Sequence, residues 1–170
     1  MDIGAFIRDV PNFPKEGIIF KDITTLLKDA KAFKYVVDTL TEKFKGKGVD
    51  VVVAMEARGF IFGAPLAYNL GAGFVPARKP GRLPVETVAV EYFLEYGTNT
   101  LEMHKDAIQT GQKVLVVDDL LATGGTVAAT IQLVEQLGGQ VVGTAFIIEL
   151  IELGGRNKLK GYPVEALVRC

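Results

Sequence analysis

The chain holds one cysteine, Cys170, one histidine, His104, and no tryptophan. A lone cysteine excludes an intramolecular disulfide and any thiolate metal cluster. A lone histidine excludes His-rich zinc sites and H-E-x-x-H chemistry. A charge excess of one sign is missing too. The 19 basic and 20 acidic side chains leave a formal net charge of −1, which gives no general pull toward nucleic acid. Long apolar runs are also lacking. Met1–Val10 carries Asp2, Arg8 and Asp9 and has no stretch suited to a secretory signal. Gly59–Ala77 is uncharged, but Pro65, Pro76 and four glycines interrupt it. It predicts a buried helix followed by a short strand, because a lipid-spanning helix needs a more continuous apolar stretch. No membrane partner is expected, and a cytoplasmic location is the default. With 170 residues the chain can bury roughly 70% of its unfolded surface, so one domain over 1–170 is expected without a disulfide or metal.

What is present is a series of short, wholly apolar runs. Val49–Met55, Phe74–Ala77, Val114–Val117 and Val141–Ile148 are the clearest, followed by Val85–Val90 and Val164–Val168. Runs apolar at every position are those of a parallel sheet covered on both faces. Helical patterns lie between them. Ala30–Phe44 sets Phe33, Val36 or Val37, Leu40 and Phe44 on one stripe. Phe60–Leu70 is apolar nearly all round and stops at Gly71, and Thr126–Leu137 stops at Gly138-Gly139. This alternation predicts an α/β fold: an open, doubly wound, mostly parallel sheet flanked by helices. Ligands in such sheets sit beyond the carboxyl ends of the strands. Glu56-Ala57-Arg58-Gly59, the basic loop Arg78–Arg82, and Asp118–Thr126 should therefore face one crevice.

The strongest chemical signal is Val114–Thr126, VLVVDDLLATGGT. A buried strand brings Asp118 and Asp119 to its C-terminal tip, and a short loop turns through Thr123-Gly124-Gly125-Thr126 into a helix. Glycines admit close approach of a ligand to the backbone, and the unpaired N–H groups of the first helical turn point at it. Together with the helix dipole they suit a phosphate monoester, to which the Thr123 and Thr126 hydroxyls add donors. Two carboxylates would repel that phosphate, so they serve another part of the ligand, either vicinal sugar hydroxyls or a hydrated Mg²⁺. A P-loop is excluded, because the nearest Gly-Lys, Gly46-Lys47, is followed by Gly48. A dinucleotide fingerprint is excluded as well, because Pro76 stands where Gly71-x-Gly73 would need its third glycine.

VLVVDDLLATGGT resembles the phosphoribosyl-pyrophosphate signature of type I phosphoribosyltransferases. The likeness extends over residues 11–150 through Phe13-Pro14-x-x-Gly17-Ile18-Ile19-Phe20-Lys21-Asp22, Glu56-Ala57-Arg58-Gly59-Phe60, Arg78-Lys79-x-Gly81-x-Leu83-Pro84 and Leu94-Glu95-Tyr96-Gly97. The first and last of these resemble the adenine-specific branch of the family. The resemblance implies that Asp118 and Asp119 hold the ribose hydroxyls and help to place hydrated Mg²⁺, with no direct protein-ligated metal. Ala122, Thr123, Gly124, Gly125 and Thr126 would wrap the 5′-phosphate. Glu56, Ala57 and Arg58 resemble the pyrophosphate loop, which in relatives contains a non-proline cis peptide, and Arg78 and Lys79 would join Arg58 in facing pyrophosphate. Ile19, Phe20 and Lys21 would hold adenine with Leu120 closing the other side, although the pattern alone reads Phe20 as core. Residues 85–101 resemble a small hood over the active site. In it Glu95 would handle the proton of adenine, with Tyr96 beside it, although the pattern also fits Glu95 as a surface carboxylate of a hairpin.

The implied reaction is transfer of the phosphoribosyl group from phosphoribosyl pyrophosphate to adenine, giving AMP and pyrophosphate with Mg²⁺ as cofactor. The resemblance also implies a homodimer. A phosphoribosyltransferase for another base shares the same sugar-phosphate site and is the nearest alternative. A DNA-binding regulator built on this fold would need an additional segment and a basic surface, which the chain lacks. His104 reads as a surface residue after the hood, and Cys170 has no assigned role.

Overall fold

The computed structural model describes residues 1–94 and 97–170. Its centre is a five-stranded, wholly parallel sheet made of β3 (Val51–Met55), β4 (Gly73–Ala77), β7 (Lys113–Leu121), β8 (Gln140–Glu149) and β9 (Val164–Arg169), in the order β4-β3-β7-β8-β9. Along β3 and β7 alternate residues serve two different cores. Val52, Ala54, Leu115 and Val117 pack with α2 (Ala30–Phe44) and α3 (Arg58–Leu70) on one face. Val51, Val53, Val114 and Val116 pack with α4 (Gly125–Gln136) on the other. Both faces are dry, which is why these strands read as unbroken apolar runs. Pro76 is tolerated because β4 is an edge strand, where a missing N–H breaks no ladder.

The helices form where the pattern predicts. In α2, Val36, Val37, Leu40 and Phe44 are buried, and the Asp29 side chain caps the first turn by accepting from the Ala32 N–H at 2.9 Å. In α3 the last turn closes at Gly71 with φ 67°.

Three features differ from the sequence expectation. Val85–Val90 belongs to no parallel sheet. From Thr87 onward it opens β5 (Thr87–Leu94), which pairs antiparallel with β6 (Gly97–His104) in a separate hairpin. The inner face of that hairpin, with Val88, Val90, Leu101 and Met103, packs onto the α4 side of the sheet. The second is an N-terminal hairpin of β1 (Arg8–Pro11) and β2 (Ile19–Asp22), followed by the short α1 (Thr24–Leu27), which leads into α2. Polar pairs across it carry no apolar periodicity, among them Lys21 to Asp9 at 2.8 Å and Arg8 to Asp22. The third is His104, which is half-buried at the end of β6 with its Nε2 enclosed and, among the described residues, without a hydrogen-bond partner, so it is not a fully exposed surface residue. By strand alternation it shares the face of Glu102, opposite the buried Leu101 and Met103.

Among the described residues no helix is long and apolar enough to cross a membrane.

Candidate active site

The strand order reverses between β3 and β7, and the crevice opens at their carboxyl ends, as doubly wound sheets require. From β3 the chain passes through Glu56–Ala57, joined by a cis peptide, into the first turn of α3 at Arg58. From β7 it passes through Ala122-Thr123-Gly124 into α4. The strand β7 runs further than the apolar run suggests and ends at Leu121. Asp118 and Asp119 are therefore strand residues and not part of a free tip, with Asp118 in register with Phe146 of β8.

Two cavities share Asp118 and Thr126. The larger, about 370 Å³, falls within the size range of small-ligand sites. Glu56, Ala57, Arg58 and Lys79 line one bank and Asp118 and Asp119 the other, while Tyr92, Asn99, Thr100 and Leu101 of the β5–β6 hairpin form the roof. The smaller, about 70 Å³, is walled by Leu120–Val127. Gly124 reaches the turn with φ 87°, a conformation that costs an L side chain energy but not glycine. The first bond of α4 is donated by Ala128 to the Gly124 carbonyl, which leaves the preceding amides without helical partners. Free amides at a helix N-terminus form an anion cradle.

Charge is distributed unevenly across the crevice. Arg58 reaches over and donates from Nε to Asp119, which is 6% exposed, and its guanidinium lies 5.5 Å from the centre of the Phe20 ring. Among the described residues Asp118 has no such partner. Burial, and next the charge of Asp119, push its carboxyl well above the usual carboxylate range. One carboxylate is thus neutralised and its neighbour is poised to take a proton, a hydroxyl donor or a cation.

Glu56 points along the same bank. Its Oε1 accepts from the Lys79 backbone N–H at 2.7 Å and from Arg78 Nε at 3.2 Å. Arg78 does not line the large cavity, since Glu56 and the face of Phe60, 5.9 Å away, hold it at the rim. Lys79 does line it. On β2, strand alternation separates the side chains of Ile19, Phe20 and Lys21. Phe20 meets Arg58 and, edge-on at 5.2 Å, Phe13. Lys21 turns to the opposite face, where the Asp9 hydrogen bond raises its ammonium above its ordinary value. Ile19 is exposed, none of the three lines either cavity, and only Phe20 meets a residue of the large one, Arg58. Leu120 lines the small cavity. Glu95 and Tyr96 lie outside the described residues.

The sequence reading missed the wall behind the cradle. Gly154-Gly155, between two short 3-10 turns after β8, lies so close to the loop that a Cβ on Gly155 would sit 2.5 Å from the Ala122 carbonyl oxygen. Glu149 holds the segment in place: 3% exposed, it accepts from Arg156 at 2.7 and 2.9 Å and from Arg169 at 2.9 Å. The Arg156 bond foremost holds its carboxyl below the ordinary value of 4.5. Stability from this triad is accordingly present above pH 4.5 and is lost as pH falls through the lowered value. Glu149→Gln is expected to cost about 2 kcal/mol in urea unfolding at pH 7. This is less than for a fully buried pair, because both arginines are partly solvated. The gap between parent and variant should close in acid.

Comparison with known proteins agrees with this geometry. Residues 24–164 match the model of the phosphoribosyl transferase domain family. An adenine phosphoribosyltransferase of Clostridium perfringens is 63% identical over 168 residues, which are 99% of this chain and 98% of that one. The crystal structure of the Thermoanaerobacter pseudethanolicus adenine phosphoribosyltransferase superposes with a TM-score of 0.96 at 57% identity, covering 99% of this chain and 98% of that one. That of Saccharomyces cerevisiae, complexed with an imino-altritol bisphosphate and adenine, superposes with a TM-score of 0.92 at 42% identity, covering 98% and 96%. With a cradle, an acidic pair and a basic bank at the switch point of the sheet, and relatives that match from end to end, the chain belongs to the adenine phosphoribosyltransferase family.

Proposed function

We propose that this protein transfers the phosphoribosyl group of phosphoribosyl pyrophosphate to adenine, giving AMP and pyrophosphate. The observation that carries the reading is the junction of the two cavities. A helix-terminal cradle for a phosphate monoester opens, past Asp118 and Thr126, into a chamber with cations on one bank and carboxylates on the other. One ligand fits both: a sugar with a phosphate at one end and a larger anionic group at the other.

In this reading Ala122–Thr126 grips the 5′-phosphate through backbone N–H groups and the two threonine hydroxyls. Asp118 and Asp119 accept hydrogen bonds from the ribose hydroxyls. Arg58 and Lys79 face the pyrophosphate, with Glu56 orienting the Lys79 peptide and Arg78. Departure of pyrophosphate leaves positive charge on the anomeric carbon, which carboxylates across the crevice stabilise. Phe20 and the β2 backbone, opposite Leu120, receive the adenine ring. Its choice over an oxo-purine comes from hydrogen-bond matching, since a mispaired buried polar group costs about 1–3 kcal/mol. Glu95, in the Leu94–Gly97 segment, is assigned the proton of the base, with Tyr96 beside it. The β5–β6 hairpin serves as the hood of a single catalytic domain and keeps water from the activated sugar.

Magnesium suits this donor set. Asp118 and Asp119 supply hard oxygens, and no group of three His, Cys, Asp or Glu that could enclose a metal occurs among the described residues. The two aspartates would hold the ion through water and the sugar hydroxyls. When bound there, the ion would supply neutralisation of the pyrophosphate charge. A homodimer is part of the same proposal, by analogy with the family.

The test is a product assay with phosphoribosyl pyrophosphate, Mg²⁺ and either adenine or hypoxanthine. AMP formation from adenine, at least about 100-fold faster than IMP formation from hypoxanthine, is expected. Preferential turnover of hypoxanthine would overturn the choice of base.

A further inference from the structure

The inner face of the β5–β6 hairpin changes character along its length. Val88 and Val90 pair with Met103 and Leu101 and pack into the core beneath α4. The next inward pair is Tyr92 and Asn99, and both line the large cavity. An apolar face that turns polar above a ligand chamber calls for a role beyond packing. Tyr92 makes two contacts there. Its hydroxyl lies 3.3 Å from Thr126 Oγ1 in the first turn of α4. Its ring lies over Gly125, where a Cβ would meet the ring at 3.4 Å.

We propose that Tyr92 is a positioning residue for the 5′-phosphate, which aims the Thr126 hydroxyl into the phosphate cradle and walls the cradle on the hairpin side. This rests on the phosphoribosyl pyrophosphate reading given above. A threonine hydroxyl has one proton and can accept as well as donate. When the Tyr92 O–H donates to Thr126 Oγ1, the Thr126 proton is left for a phosphate oxygen. The hairpin is thereby docked on the same helical turn that binds the phosphate, and its closure is tied to a phosphorylated sugar. Phe93, the next residue, points outward and is 79% exposed, so the inward face is specific to Tyr92.

The experiment measures the Kd for phosphoribosyl pyrophosphate with Mg²⁺ by calorimetry, and KM for both substrates, in the parent, Tyr92→Phe, Thr126→Val and the double variant. Tyr92→Phe keeps the ring and loses the hydroxyl. It should weaken phosphoribosyl pyrophosphate binding about threefold to tenfold and leave KM for adenine within about twofold. The double variant should be no weaker than Thr126→Val alone, because the two hydroxyls act as one unit. Unchanged Kd in Tyr92→Phe, or additive losses in the double variant, would overturn the assignment while AMP formation by the parent stood. A parent that binds phosphoribosyl pyrophosphate and loses affinity on Tyr92→Phe, yet forms no AMP, would overturn the proposed function and leave the assignment of Tyr92 standing. No binding by the parent would overturn both.

Discussion

Asp118→Asn should lower kcat/KM by about 10²–10³-fold and at the same time make the ligand-free protein more stable. The activity loss follows from removing a carboxylate aimed at the charge that develops on the sugar. The stability gain follows from the neighbourhood of Asp118. Burial and the adjacent Asp119 charge raise its carboxyl, whereas Arg58 hydrogen-bonds Asp119 and not Asp118. A carboxyl raised on folding binds its proton more tightly in the native state than in the unfolded chain. Its contribution is therefore fully present below the ordinary value of 3.8 and is lost as pH rises through the raised one. Above the ordinary carboxylate range, a buried carboxyl beside the Asp119 charge costs stability relative to the unfolded chain, and the neutral amide removes that cost. A gain of about 1 kcal/mol, or about 2–4 °C in Tm at this chain length, is expected. Scanning calorimetry of the ligand-free forms at pH 5 and pH 8 checks it, with the larger gain at pH 8. A lower Tm for Asp118→Asn at pH 8 would show that the side chain serves stability and not a ligand.

Gly155→Ala should damage the cradle from behind. The added Cβ would lie 2.5 Å from the Ala122 carbonyl oxygen and 2.8 Å from Leu121 Cδ1. One of these contacts is with backbone, so the loop or the Gly154-Gly155 segment must shift. Gly124 presses from the other side, because its own Cβ position is 2.7 Å from the Gly155 carbonyl oxygen. The Leu150 N–H donates to the Leu121 carbonyl at 2.9 Å, and the Glu149 triad pins the segment from below, so relief by movement of β8 is blocked. The cradle amides move instead. A displacement on the order of 1 Å costs about 10²-fold in kcat/KM for phosphoribosyl pyrophosphate, and overpacking adds a loss of about 1–3 kcal/mol in stability. Glu149→Gln is the comparator: it loosens the same segment without the clash and should cost stability with a much smaller effect on KM. A Gly155→Ala enzyme with the parental KM for phosphoribosyl pyrophosphate would show that the loop does not depend on this wall.

Both variants lie outside the base site, and they separate two ways in which the fold serves the reaction. Asp118 is held at a cost to stability, as its raised carboxyl indicates. Gly155 is held by packing and transmits that packing to the backbone of the loop at Ala122.

The parallel sheet, the helices α2, α3 and α4, and the glycine turn from β7 into α4 were legible from the sequence because each is set by neighbours along the chain. A strand buried on both faces must be apolar throughout, and a cradle made from the end of a strand, two glycines and the start of a helix occupies one contiguous stretch. The acidic pair was legible for the same reason. What only the tertiary structure decided are contacts between distant segments. Arg58 finds Asp119 across 61 positions and Tyr92 finds Thr126 across 34. Glu56 takes hold of the Lys79 peptide across 23, and Gly155 comes to rest against Ala122. No local pattern encodes these pairings, because they follow from strand order and from which face of each strand meets which helix. The scarcity of cysteine and histidine turned the reading toward carboxylates, cations and backbone amides. The order β4-β3-β7-β8-β9 then determined which carboxylate is paired with Arg58, which is left raised, and which tyrosine stands over the first turn of α4.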